Sequence, residues 1–162
     1  MLVASADFNG AFMKAVLQRV ESAEVVVANE PIARTGKGIL VFLGIEKGDR
    51  ESDADYLEEK IINLRIFEDA EGKMNLSLLD VSGDLLVVSQ FTLLADCRKG
   101  RRPSFINACE PDGARFLYDY FIAAARKHVK NVAAGMFQEL MKVHLVNDGP
   151  VTIIMESRKS GE

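Results

Sequence analysis

The chain has few cysteines, no excess of positive charge and no long apolar run, and each shortage excludes a class of protein. The two cysteines, Cys97 and Cys109, are too far apart for a Cys-x-x-Cys pair, and no histidine cluster lies near them. The pattern therefore indicates no zinc site and no disulfide framework. The net charge is −4, whereas general nucleic-acid binders are basic, so any RNA contact must come from a local patch. No apolar stretch approaches the roughly 20 residues that cross a bilayer. We therefore expect a cytoplasmic protein with no metal, cofactor or membrane contact.

The familiar catalytic motifs are also missing. The sequence contains no Gly-x-Ser-x-Gly elbow, no Walker-type phosphate loop and no Gly-x-Gly-x-x-Gly. Only two histidines are present, His128 and His144, and their spacing does not nominate either as the base of a Ser-His-Asp triad. The carboxylates are scattered, without a pair suited to acid–base work.

The apolar share, 48% of 162 residues, is enough for the core of one domain. Residues 1–12 contain only short apolar pieces, whereas a clear strand pattern begins at Met13. We interpret residues 1–12 as a non-native or disordered leader; an ordered extension is the alternative. Residues 13–157 are expected to form one domain, and residues 158–162 a short tail.

Apolar periodicity predicts two amphipathic helices, at residues 54–64 and 111–129, with Pro111 in the first turn of the second. Residues 133–141 are ambiguous, and a short helix is one interpretation. Alternating or continuous apolar residues predict strands at 15–20, 24–28, 32–35, 39–45, 85–88, 143–146 and 151–155. The fold class is α+β, with a curved, mostly antiparallel sheet or half-open barrel packed against the two helices.

A polar segment, Ser-Gln-Phe-Thr-Leu at 89–93, follows the predicted strand at 85–88 directly. Two hydroxyls, an amide and an aromatic ring at a strand end could bind a polar substrate and stack a base. An ordinary strand end is the alternative, and taken alone the segment favours it.

A second segment, Asn-Asp-Gly-Pro-Val-Thr at 147–152, separates the last two predicted strands and is typical of a turn. Gly149 and Pro150 could also form a rigid main-chain wall, because glycine permits close approach and proline fixes the backbone.

A cationic segment follows the first polar segment. Residues 98–102 carry four positive charges in a net-acidic chain, on Arg98, Lys99, Arg101 and Arg102. A phosphate clamp for a nucleic-acid end and a solvated loop are equally open interpretations.

Together these segments resemble the D-aminoacyl-tRNA deacylase family. The resemblance extends from Met13 to about Glu156 and rests on motifs that occur in order and at matching separations. Besides 89–93 and 147–152, these are Gln-Arg-Val at 18–20, the run 38–44, Leu-Arg-Ile-Phe at 64–67, Gly-Lys-Met-Asn-Leu at 72–76 and Lys-Gly-Arg-Arg-Pro-Ser-Phe at 99–105. One departure is Phe137-Gln138-Glu139-Leu140-Met141, where the family commonly has Phe-Gly-Ala, and its effect on the pocket is open.

The resemblance implies a cytosolic homodimer that hydrolyses the ester between a D-amino acid, or mischarged glycine, and the terminal adenosine of tRNA. It assigns the pocket floor and the catalytic positions to Ser89, Gln90 and Thr92, and the contact with the adenine to Phe91. It implies a cis Gly149–Pro150 pair that enters the partner's pocket and rejects L-amino acids by clash. Met141 and Phe137 are retained as substrate-binding residues.

The chemistry has two open interpretations. Thr92 could act as a nucleophile, or the 2′-hydroxyl of the tRNA could activate a water while backbone N–H groups hold the carbonyl oxygen. We prefer the second, because an unactivated threonine is a poor nucleophile. The alternative functions are a non-catalytic RNA-end-binding module of the same fold and a serine or threonine esterase for small esters.

Overall fold

The computed structural model describes residues 12–157, so the predicted leader up to residue 11 and the predicted tail lie outside the described residues. The strands and helices, in chain order, are β1 Lys14–Val27, β2 Glu30–Thr35, β3 Gly38–Gly44, α1 Glu51–Asn63, β4 Phe67–Glu68, β5 Met74–Leu76, β6 Asp84–Ser89, α2 Pro111–Arg126, β7 Val132–Ala134 and β8 Met141–Glu156. A 3₁₀ turn, Phe91–Leu94, follows β6.

The long strand β1 organises the main sheet. It pairs antiparallel with β3 and β2 along one edge and with β8 along the other. The sheet continues from β3 to β6 and from β6 to β7 through parallel pairings. It curls until β2 approaches β6 and β7. The result is a nearly closed, barrel-like mixed sheet with two helices, which confirms the predicted α+β class.

Strand β3 is apolar throughout because both of its faces are covered. Ile39, Val41 and Leu43 pack toward the two helices in the larger core cluster. Leu40 belongs to a second cluster with Val20, Val25 and Leu86 on the other face. The sheet therefore separates a helix-covered core from a smaller core inside the curl.

Both predicted helices are confirmed, because each buries the apolar stripe that predicted it. Helix α1 buries Leu57 and Ile61, and the Asp53 carboxylate accepts a hydrogen bond from the Arg50 amide at 2.8 Å, which caps its first turn. Helix α2 begins at Pro111 and buries Leu117 and Phe121. Within residues 12–157, no helix has both the length and the apolar character to cross a membrane.

The prediction of two separate core strands at 143–146 and 151–155 is wrong, since both belong to β8, in which exposed residues alternate with half-buried ones. Gln18 pairs with Thr152 and Val20 with Asn147, so residues 148–151 bulge opposite Arg19. The expected turn is therefore a bulge inside one strand. Residues 133–141 form no helix: they contain the end of β7 and an irregular turn before β8.

Candidate active site

A cavity of about 590 Å³ opens where β6 ends and where α2 and β8 begin. Its size suits a nucleoside that carries a small acyl group. Apolar side chains supply most of its wall, and polar groups enter it from the segment after β6. The lining residues are Ile45, Val88, Ser89, Gln90, Phe91, Ala108, Cys109, Pro111, Ala114, Phe137, Gln138, Glu139, Leu140, Met141 and Val143. Of the predicted site residues, the structure brings Ser89, Gln90, Phe91, Phe137 and Met141 together here.

The main chain fixes the segment after β6. The Gln90 amide donates to the Leu43 carbonyl at 2.8 Å, and the Ala95 amide donates to the Thr92 carbonyl at 3.1 Å. At Gly44, a Cβ atom would lie 3.0 Å from the Gln90 carbonyl oxygen and still closer to two leucine side chains. Only glycine therefore allows the 3₁₀ turn to pack against the end of β3.

Phe91 presents an aromatic ring at the mouth of the cavity. Its side chain is 57% exposed, and Phe105 makes an edge contact with it at a centroid distance of 5.2 Å and an interplanar angle of 71°. An edge contact leaves ring surface available for stacking. The geometry thus suits the contact with a base that the sequence predicts for Phe91.

Thr92 does not line the cavity, although it follows Phe91 directly. Its hydroxyl oxygen accepts a hydrogen bond from the Gln90 side-chain amide. Within residues 12–157, no histidine, lysine or carboxylate hydrogen-bonds to Thr92. In this described part of the chain, the hydroxyl therefore has no base that would activate it.

The opposite wall is built by Phe137 and Met141. A Cβ atom on Gly135 would lie 2.8 Å from the Met141 sulfur, so this glycine leaves room for the methionine. Tyr118 lies beneath Phe137 at a centroid distance of 5.8 Å, and its hydroxyl is 3.0 Å from the carbonyl oxygens of both Val87 and Gly135. Burial raises the pKa of Tyr118, which keeps the hydroxyl protonated as a donor.

The unusual segment at 138–140 forms the rim of this wall. Gln138 has a φ of 63°, a left-handed conformation that side chains seldom adopt. Leu140 is 92% exposed beside the cavity. The departure from the family pattern therefore lies at the cavity entrance.

Burial also shapes the chemistry near Cys109, which lines the cavity. It raises the pKa of the Cys109 thiol, and the neighbouring Asp49 adds to that effect. Burial likewise raises the pKa of Asp49 to about 7, while one of its carboxylate oxygens accepts a hydrogen bond from the Glu46 amide. The thiol is thus held protonated, the form that is a weak nucleophile.

Gly149 and Pro150 lie outside the cavity of their own chain, exposed on the β8 bulge. The peptide bond between them is cis and Gly149 has a φ of 137°. Arg19 supports the bulge from below: its Nε donates to the Asp148 carbonyl at 3.0 Å and its Nη1 donates to the Ile66 carbonyl at 2.7 Å. The Asn147 side chain accepts a hydrogen bond from the Val151 amide at 2.8 Å.

Arg19 is a functional residue whose role the sequence motifs do not mark. The sequence feature that could have marked it is the alternation in β1, which places the charged Arg19 on the same buried face as Ala15 and Leu17. Arg19 itself is only 5% exposed. A buried charge requires partners, so its position pointed to a polar structural element nearby.

One of the four cations in the segment 98–102 is already paired within the protein. Arg98 makes two hydrogen bonds to the Asp96 carboxylate, at 2.9 and 2.7 Å, which lower the pKa of Asp96 to about 2. Lys99, Arg101 and Arg102 are exposed, and within residues 12–157 none of them pairs with a carboxylate. Backbone pairing of Asp96 with Ser104 closes the loop beside Phe105.

Neither histidine lines the cavity. Nδ1 of His128 is 2.9 Å from the carboxylate of the buried Glu58, which ties the end of α2 to α1. His144 lies on the exposed face of β8. Within residues 12–157, no cluster of three or more His, Cys, Asp or Glu side chains is arranged to hold a metal ion.

The comparisons with known proteins converge on one family. The family profile described as D-Tyr-tRNA(Tyr) deacylase matches residues 16–156. A D-aminoacyl-tRNA deacylase of Syntrophus aciditrophicus is 60% identical over 147 residues, which cover 91% of this chain and 99% of that relative.

Two solved structures share the fold. One is named c-Myc DNA Unwinding Element Binding Protein, with 42% identity, a TM-score of 0.86 and coverage of 90% of this chain and 99% of that one. The other, a probable eukaryotic D-amino acid tRNA deacylase, has 19% identity, a TM-score of 0.78 and the same coverage. The chain belongs to the D-Tyr-tRNA(Tyr) deacylase family.

Proposed function

We propose that this protein is a D-aminoacyl-tRNA deacylase, a hydrolase that cleaves the ester between a D-amino acid and the terminal adenosine of tRNA in the cytosol. The observation that carries the proposal is the cavity at the end of β6, where Ser89, Gln90 and Phe91 meet Phe137 and Met141. It occurs in a chain 60% identical to a relative of that name.

In the proposed complex, the terminal adenine stacks on Phe91 and the aminoacyl group lies deeper in the cavity. Stacking of a base on an aromatic side chain contributes about 1–3 kcal/mol and requires no particular sequence. Ser89 and Gln90 line the cavity beside Phe91 and supply polar groups for the ester and the amino group. Free D-amino acid and reusable tRNA are the products.

Selection against L-amino acids uses a homodimer in which each subunit lends Gly149 and Pro150 to the cavity of its partner. The support is positional: on its own chain this pair is exposed and outside the cavity, yet Arg19 and Asn147 hold it firmly. A two-fold dimer exchanges identical elements reciprocally. A main-chain wall excludes an L side chain by clash, so D-amino acids and glycine pass without any dedicated contact.

For the hydrolytic step, we propose that the 2′-hydroxyl of the terminal adenosine activates the attacking water. Among the described residues no base contacts the Thr92 hydroxyl, and Cys109 is held in its protonated form. Among the described residues that line the cavity, Glu139 is the one carboxylate, and its side chain is exposed. Backbone N–H groups of Phe91 and Thr92 then stabilise the developing oxyanion, since the N–H of Gln90 donates to the Leu43 carbonyl.

The test compares D-Tyr-tRNA, L-Tyr-tRNA and D-Tyr-tRNA that ends in 2′-deoxyadenosine, with release of tyrosine as the measurement. We expect hydrolysis of the first, no hydrolysis of the second, and hydrolysis of the third slowed by about 10²–10⁴-fold, the usual contribution of acid–base assistance. Glu139→Gln should keep the rate on D-Tyr-tRNA. Full activity on the deoxy substrate, or loss of activity in Glu139→Gln, would contradict the proposed chemistry.

The same experiment addresses the two alternatives. A non-catalytic RNA-end-binding module would bind D-Tyr-tRNA and release nothing. A general esterase would cleave D-tyrosine methyl ester, which carries no adenosine, as readily as it cleaves the tRNA.

A further inference from the structure

A second cavity, of about 300 Å³, adjoins the candidate active site along helix α2. Phe137 lines both cavities, so they meet at its ring. The second cavity also contains Arg115 near the start of α2 and Arg126 in its last turn. A ligand that fills the first cavity and extends past Phe137 therefore reaches the α2 surface.

The two arginines lie on one face of the helix. Eleven residues separate them, which is about three turns and about 16 Å at 1.5 Å per residue. The guanidinium carbon of Arg115 lies 5.0 Å from the centroid of the Phe137 ring. This stacking orients the planar cation while its N–H groups remain available.

Neither cation forms an ion pair with the described part of the chain. In the part of the chain from Phe12 to Ser157, no carboxylate lies within 4.0 Å of Arg115 or Arg126. Asp119 is the single acidic residue in the lining of the second cavity. By contrast, Asp96 engages Arg98 in the cationic loop beside Phe91. The lining of the second cavity, with two arginines and one aspartate among the described residues, thus has a net positive charge in a net-acidic chain.

We propose that Arg115 and Arg126 bind backbone phosphates of the tRNA acceptor strand as it leaves the active-site cavity past Phe137. A duplex strand carries about one phosphate per 3.4 Å of axis, so a separation of about 16 Å spans four or five of them. A small anion could engage only one of these cations, whereas a nucleic-acid strand engages both. This inference rests on the proposed function for the identity of the RNA.

The test uses Arg115→Gln/Arg126→Gln, with Arg115→Lys/Arg126→Lys as the rescue variant. The matched control is Lys37→Gln/Lys60→Gln, which removes two other exposed cations, each of which lies over an aromatic ring as Arg115 does. Two quantities are measured: the slope of log Kd for uncharged tRNA against log salt concentration, and kcat/KM on D-Tyr-tRNA and on D-Tyr-adenosine.

We expect the glutamine variant to lower the magnitude of the salt slope by about 1.4–1.8, because each neutralised phosphate contributes about 0.7–0.9. Its kcat/KM should fall on the order of tenfold on D-Tyr-tRNA through KM, while kcat/KM on D-Tyr-adenosine stays constant because that ester has no acceptor strand. The lysine variant should recover the slope, and the control should leave it unchanged.

An unchanged slope in the glutamine variant, or an equal loss on both esters, would overturn the inference. A loss of slope on substitution of Lys99 and Arg101 alone would assign the strand to the cationic loop instead. If the wild-type protein hydrolyses neither ester, the proposed function fails, yet the tRNA slope still decides whether α2 binds the strand.

Discussion

Two segments of this molecule carry the motifs that identify it, and they are held in opposite ways. The segment at 89–94 contributes its first three residues to the cavity of its own chain and is fixed by backbone hydrogen bonds and by close packing at Gly44. The bulge at 148–151 lies outside that cavity and is fixed by the side chains of Arg19 and Asn147. Substitutions that remove the supporting side chains should therefore move the main chain of the bulge. Substitutions in the cavity segment should change only the contacts of the replaced side chain.

The difference also separates two tasks. A cavity segment held by its backbone can present different side chains without moving, which suits the binding of a substrate. A bulge that several side chains support keeps its main chain rigid at an exposed position, which suits a wall for another molecule. Each substitution below probes one side of this contrast.

The largest effect is expected for Arg19→Met, which keeps most of the buried volume but removes the donors to the Asp148 and Ile66 carbonyls. Leaving the buried Ile66 carbonyl and the part-buried Asp148 carbonyl without these donors should lower the free energy of unfolding by about 2–4 kcal/mol. Urea denaturation measures this loss. We also expect the preference for D-Tyr-tRNA over L-Tyr-tRNA to weaken, since the bulge loses its support.

The control for this substitution is Arg34→Met on β2. The Arg34 side chain is 70% exposed and pairs with Glu24 at the surface, so its loss should cost less than about 1 kcal/mol. Equal destabilisation by the two substitutions would mean that Arg19 is not the support of the bulge.

A smaller effect is expected for Gly149→Ala. The new Cβ would lie 2.8 Å from the Val151 side chain and 3.1 Å from Arg19 Nη2, at a φ of 137° that side chains rarely adopt. The strain should cost about 1–3 kcal/mol in unfolding free energy. Because the bulge must shift, the ratio of kcat/KM for D-Tyr-tRNA over L-Tyr-tRNA should fall on the order of tenfold, equivalent to about 1.4 kcal/mol.

The control Gly72→Ala separates the effect of backbone strain from the effect of moving the bulge. Gly72 also has a positive φ, of 77°, but a Cβ there meets no atom within 4 Å. It should lose about 1 kcal/mol of stability and keep its chiral preference. If Gly149→Ala preserves the D-to-L ratio as Gly72→Ala does, the bulge is not the chiral wall.

The same contrast explains which features the sequence could predict. Periodicity placed both helices and the buried strands β3 and β6 correctly, because residues such as Leu57, Phe121 and Val41 follow the spacing of their elements. The polar residues after β6 could be chosen as a candidate site because they interrupt an apolar run. Local pattern was sufficient wherever a structure depends on neighbours in sequence.

Features that depend on distant partners could not be predicted. The Asn-Asp-Gly-Pro segment has the composition of a turn, yet pairing with β1 keeps β8 continuous through it. The neutralisation of Arg98 by Asp96 depends on the loop geometry. The position of Thr92 outside the cavity depends on the 3₁₀ turn that Gly44 permits. Each result follows from contacts that a single segment does not contain.

The smallest effect is expected for Thr92→Ala on the cavity side of the comparison. The hydroxyl is exposed, bonds only to the Gln90 side chain within the described chain and does not line the cavity. Removing it should change the unfolding free energy by less than about 1 kcal/mol.

If the tRNA hydroxyl drives hydrolysis, kcat/KM of Thr92→Ala on D-Tyr-tRNA should stay within about threefold of wild type, a difference of less than about 1 kcal/mol in transition-state stabilisation. Loss of a true nucleophile would instead cost on the order of 10⁴-fold or more, and Thr92→Ser would restore much of that activity. Single-turnover hydrolysis distinguishes the outcomes, and a collapse in Thr92→Ala that serine rescues would establish covalent catalysis in place of the RNA-assisted reaction.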